Sequence, residues 1–156
     1  MIIYIAGPLF SLAEREFNQR LSELISEGLE GATVILPQTE TKRLLKESDP
    51  CAQIFDFCVR AIDRADVMIA ILEGPDVDSG TSFEIGYAFS RNKPIIGVRT
   101  DPRQLEDKGV NLMISRSMYA MVGLEDDTTV EALAAKIVRI LRSEDIAARI
   151  ESFPDH

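Results

Sequence analysis

The run Val67-Met-Ile-Ala-Ile-Leu72 limits the possible folds of this chain more than any other feature. It is a short apolar stretch of the buried-strand type, and it directly follows a segment with helical periodicity. Four more stretches read as strands: 2–6, 33–36, 94–98 and a weaker one at 118–122. Helical patterns separate them. Ser11-Leu-Ala-Glu14 has the spacing of a capping box, and Phe17, Leu21, Leu24, Ile25 and Leu29 then recur at helical intervals. Asp49-Pro50 starts a helix running to about Arg64, with Ile54, Phe57, Cys58, Ala61 and Ile62 on its inner face. Further helices are expected at 79–91 and at 129–141, the latter burying Val130, Leu133, Ile137 and Ile140. Strands alternating with helices imply a parallel sheet with right-handed crossovers and helices on both faces. The expected fold is α/β, a flavodoxin-like doubly wound five-stranded parallel sheet in the order 2-1-3-4-5.

That order reverses between the first and third strands, so the loops after Ala6 and Leu72 flank one crevice, where open α/β sheets bind ligands. Gly7-Pro8 ends the first strand with a residue that tolerates close approach and one without an N–H. The polar stretch 38–48 reads as a long connection of the kind that carries function. Beyond Ser143, Ile146 and Ile150 offer packing positions. With no repeat or linker, residues 1–156 read as a single domain.

A net charge of -9, from 17 Lys and Arg against 26 Asp and Glu, with no basic run, argues against nucleic acid as a partner. No stretch of 18 apolar residues is present and the first residues lack a signal-peptide pattern, so a soluble, cytoplasmic protein with no membrane partner is expected. Cys51 and Cys58, seven apart in one helix, read as buried free thiols. The single histidine is His156, and no Cys/His cluster has ligand spacing, so no metal site is expected. Neither G-x-G-x-x-G nor G-x-x-x-x-G-K-[ST] occurs, and no cofactor is expected.

The chemistry points to Asp76-Val-Asp-Ser-Gly-Thr-Ser-Phe-Glu-Ile-Gly-Tyr-Ala88. Asp78 falls at a helix mouth and Glu84 about one and a half turns inside, among Phe83, Ile85, Gly86 and Ala88. A carboxylate in such surroundings is paired or functional. Acids clustered at 66, 76, 78 and 84 suit glycosyl transfer or hydrolysis, where one carboxylate attacks or stabilises a glycosyl cation and another serves the leaving group. Mg²⁺ binding is the other use of such a cluster, and periodicity does not separate the two.

Tyr4-Ile-Ala-Gly-Pro-Leu-Phe10, Ala65-Asp66, Asp78-Ser-Gly-Thr-Ser-Phe-Glu-Ile-Gly-Tyr-Ala88 and Asn111-Leu-Met113, in this order and spacing, resemble the nucleoside 2-deoxyribosyltransferases from about residue 2 to 140. The resemblance implies transfer of a 2-deoxyribosyl group between nucleobases by double displacement, with Glu84 as the nucleophile and Tyr4 holding it in line. It further implies that Asp66 assists base protonation, that Asp78 lies near base and sugar, and that Gly7, Phe10, Gln38 and Gly80 bind substrate. Asn111 and Met113 would be lent by the neighbouring subunit of a homo-oligomer, a dimer or hexamer, with nucleoside and nucleobase as the small-molecule partners. Without the resemblance, Asp66 reads as a cap or turn residue. The nearest alternative is an N-glycosidase cleaving (deoxy)nucleoside 5′-monophosphates; such relatives tend to have serine where this chain has Asn111, and Arg15, Arg99 or Arg103 would have to hold the phosphate. A non-catalytic nucleotide-binding module is the second alternative.

Overall fold

A computed structural model describes residues 1–101, 110–124 and 129–152. Strand β1 (Ile2–Ala6) lies between β2 (Thr33–Ile35) and β3 (Val67–Ile71), followed by β4 (Ile95–Val98) and β5 (Ala120–Val122). All four pairings are parallel and the order is β2-β1-β3-β4-β5, the expected flavodoxin-like arrangement. Leu36, Leu72, Pro94 and Met118 fall just outside the strands, the usual one- or two-residue difference at element ends.

Alternate residues of each strand face different helical layers. Ile3, Ile5, Ile69 and Ile71 pack with Leu21 and Ile25 of α1 (Leu12–Gly28), Ile137 of α6 (Val130–Leu141) and Ile146 of α7 (Glu144–Glu151). Tyr4, Ala6, Met68, Ala70 and Leu72 face the other way, toward α3 (Pro50–Arg64), α4 (Ser79–Ser90) and α5 (Leu112–Ser117), and pack with Ala61, Ile62, Ile85 and Ala88. Ala6 and Ala70 are register partners, so the sheet carries small side chains beside Tyr4 on this face. That leaves depth for a phenol and a carboxyl under α4.

The capping pattern forms as expected. Ser11 Oγ accepts from Glu14 N at 3.2 Å and Glu14 Oε2 accepts from Ser11 N at 2.6 Å, both halves of the capping box. Asp49 caps α3 through Ala52 N, with Pro50 in the first turn. The segment read as a long loop differs: it contains α2 (Pro37–Glu40) and a 3-10 turn at Thr41–Lys46. Pro37 fits a first helical position, and Thr41 Oγ1 donates back to Pro37 O at 2.7 Å. A tail helix also forms, because Ile146 is fully buried and Ile150 packs behind it. No described helix is long and apolar enough to cross a membrane.

Candidate active site

β1 and β3 are neighbours whose crossovers run in opposite directions, so the crevice opens at their carboxyl ends. Gly7 follows β1 closely packed: a Cβ there would meet Ile71 at 2.9 Å, so any other residue pushes the two strand ends apart. After β3 the chain turns through Gly74, whose φ of +100° suits glycine, to the cap of α4. Asp78 is that cap; its Oδ2 accepts from Thr81 N at 3.1 Å. Gly80 lies against the same carboxylate, where a Cβ would come within 3.1 Å of Oδ2.

In the second turn of α4, Glu84 points down to the sheet. Tyr4, fully buried in the middle of β1, donates its Oη hydrogen to Glu84 Oε1 at 2.5 Å. Burial raises the Glu84 pKa to about 7, the hydrogen bond from Tyr4 opposes that rise, and the charge of Asp78 adds to it. The Tyr4 phenol is pushed far upward, first by burial and then by the adjacent Glu84 charge, so it stays a donor. The result is a fixed carboxyl poised between its acid and ionised forms near neutral pH, oriented by a phenol that holds its proton.

Cys58 was legible only as a core thiol, yet it lies in α3 beside both Tyr4 and Glu84. Burial raises the Cys58 pKa, so it meets Glu84 as a thiol, and the thiol favours the Glu84 carboxylate. The only sequence signal was the helical phase that placed it with Ala61 and Ile62. Cys51, also expected to be buried, is exposed, and both cysteines are free.

Asp66 is placed elsewhere. It stands at the amino-terminal end of the sheet, where its Oδ2 accepts from Ile2 N at 2.6 Å and its own N–H donates to Ile2 O at 2.8 Å. This is the turn role, clamping the starts of β1 and β3, and the aspartate whose charge acts on Glu84 is Asp78. Gln38 is turned inward, with Nε2 donating to Arg15 O at 2.8 Å and Oε1 accepting from Asn18 Nδ2 at 3.3 Å. Asn18, buried and not singled out from the sequence, also donates to Pro8 O at 2.9 Å and so ties the loop after β1 to α2.

Phe10 is exposed on that loop, its N–H donating to Glu14 Oε2. Asn111 caps α5 through Met113 N at 2.9 Å, and Met113 stands 79 % exposed. Of the arginines considered as phosphate donors, Arg99 is buried and gives Nη1 to Leu72 O at 2.6 Å and Gly74 O at 3.1 Å, bracing the loop before Asp78. Arg15 holds the carbonyls of Leu9 and Phe10. Arg103 and residues 153–156, including His156, lie outside the described residues. Among the described residues no three His, Cys, Asp or Glu side chains gather as a metal site.

The family model described as nucleoside 2-deoxyribosyltransferase matches residues 3–146. An uncharacterized protein of Schizosaccharomyces pombe is 29% identical over 112 residues, 68% of this chain, and the match spans about half of that relative's length (53%). Among solved structures, a 2-deoxyribosyltransferase from Bacillus psychrosaccharolyticus superposes with a TM-score of 0.69 at 22% identity, covering 96% of each chain. A CMP N-glycosidase from Clostridium botulinum gives 0.58 at 18% identity over 88% of this chain and 98% of its own. At such identities the two structures speak for the fold.

Proposed function

The chain belongs to the nucleoside 2-deoxyribosyltransferase family, and from that membership we propose that it moves a 2-deoxyribosyl group between nucleobases through a covalent bond to Glu84. The observation that carries this reading is the hydrogen bond from Tyr4 in the middle of β1 to Glu84 of α4, which fixes one carboxylate oxygen and leaves the other for attack. Ionised Glu84 attacks C1′ opposite the base. The C1′–N bond breaks, its electron pair leaves with the base, and a proton is delivered to that base. A second base then attacks C1′ through a ring nitrogen, expels the Glu84 carboxylate and loses a proton, giving a product of retained configuration. A sugar without a 2′-hydroxyl forms the cationic transition state more readily, so little acid assistance is needed. Asp78 is the aspartate beside Glu84 and takes the leaving-base role in this reading; Asp66 serves the fold.

Asn111 and Met113 act on the site of a second copy. Their position at the exposed start of α5 supports this, as does an exposed aromatic face on α3 and α4, where Phe55 and Phe83 lie 5.9 Å apart and Phe83 stacks on Tyr87 at 6.4 Å. Transfer is favoured over hydrolysis of nucleoside monophosphates because Arg99 is committed to backbone carbonyls and the carboxylates at the crevice repel a dianion. The test incubates the protein with 2′-deoxyinosine or thymidine, with and without adenine or cytosine, beside deoxynucleoside monophosphates. New deoxynucleosides formed only with acceptor, and lost in Glu84→Ala, are expected. Free base released from monophosphates without acceptor would move the assignment to the glycosidase, and binding without turnover of any substrate would leave a sensing module.

A further inference from the structure

A cleft of about 520 Å³ lies between α3, β2 and the 3-10 turn, with none of Tyr4, Cys58 and Glu84 in its lining. Its size is that of a small-molecule site. The floor is apolar, made by Ile35 of β2 with Phe57 and Ala61 of α3. β2 is the edge strand, paired only with β1, so its outer backbone groups face this cleft without a neighbouring strand.

The rim is basic in a chain of net charge -9. Arg43 from the 3-10 turn and Arg60 and Arg64 from α3 line it, against one carboxylate, Glu40. Arg60 makes an exposed contact with Asp56 at 3.4 Å, a pair that yields readily to a better acceptor. Arg43 and Arg64 have no acidic or hydrogen-bonding partner among the described residues. Unneutralised guanidiniums above an aromatic and aliphatic floor match a flat apolar body with an anionic group at one end. Gln53 and the β2 edge add directional hydrogen-bonding groups.

We infer that this cleft is a second ligand site, independent of the glycosyl chemistry, that takes a planar aromatic anion, with the ring on Phe57 and Ile35 and its phosphate or carboxylate on Arg43 and Arg64. Both anionic groups share the chemistry, and the probes separate them. Residue-resolved amide NMR titrations would use 5′-AMP and 2-naphthoate, with adenosine and inorganic phosphate as half-ligands. The amides of Val34, Leu44 and Phe57 shift saturably with at least one aromatic anion, more tightly than with either half-ligand; the better anion identifies the group. Arg43→Ala/Arg64→Ala, with its fold checked in the same spectra, binds about tenfold or more weakly, whereas Glu84→Gln binds unchanged, so this result stands apart from the fate of the transferase reading. The inference is overturned if these amides stay unperturbed at millimolar concentrations of both anions. It is equally overturned if adenosine or phosphate alone binds as well, or if removing both arginines leaves affinity intact.

Discussion

Glu84→Gln should make the protein more stable, and increasingly so as pH rises. Glu84 titrates near 7 in the fold against an ordinary value of 4.5, so the folded state holds this proton through a range in which the unfolded chain has released it. The sign follows: the stability associated with the neutral carboxyl is fully present below pH 4.5 and is lost as pH rises through about 7. A rise of about 2.5 in pKa, at 1.36 kcal/mol each, gives a cost of about 3 kcal/mol for holding the ionised group in place. Glutamine is isosteric, still accepts from Tyr4 and carries no charge, so it avoids that cost. Urea unfolding of both proteins from pH 4 to 8.5 should show a stability difference that is small at the acid end, opens between about pH 5 and 7, and then levels at about 3 kcal/mol in favour of the variant. Parallel curves, or a wild type that gains on the variant with pH, would refute the claim that desolvation dominates at Glu84.

Tyr4→Phe removes the donor that favours the carboxylate, so the acid limb of the kcat/KM profile moves to higher pH and activity at neutral pH falls by about tenfold or more. Cys58→Ala moves the same limb upward by a smaller amount while Cys58→Ser restores it, a pattern that a mere packing role would not give. Asp78→Ala costs about 1 kcal/mol in thermal or urea unfolding through the lost cap, and an NMR titration of Glu84 in that variant shows a lower pKa, since a repelling charge has gone. Asp66→Ala destabilises by about 1–3 kcal/mol, because Ile2 N–H loses its acceptor, yet leaves kcat near that of the parent.

The fold was legible because β1 and β3 are buried on both faces and therefore read as unbroken apolar runs, while Ser11, Asp49 and Asp78 announce the helix starts through their capping chemistry. Glu84 was legible from its apolar surroundings in the helix and again through the family motif, Tyr4 through the motif, and the strand phase of Tyr4 with the helix position of Glu84 explains why they meet. The features that escaped depend on contacts distant in sequence. Cys58 has the helical phase of a core residue, and nothing local shows that Tyr4 and Glu84 lie opposite it. Arg99 looks like a free cation until the carbonyls of Leu72 and Gly74 are seen to occupy it. Asp66 sits next to a strand as a site residue would, but at the amino end of a parallel sheet, opposite the crevice. The turns at 37–46 are polar and short, so their helical geometry leaves no periodicity to read.

The decisive measurement is mass spectrometry of the Glu84-containing peptide after brief incubation with a 2′-deoxynucleoside, without acceptor base, and acid quench. A deoxyribosyl ester on Glu84, which disappears when adenine is added before quenching and is absent from Glu84→Gln, is the predicted result. Turnover of the nucleoside with the peptide unmodified at every quench time, or with undiminished transfer in Glu84→Gln, would contradict a covalent role for this carboxyl.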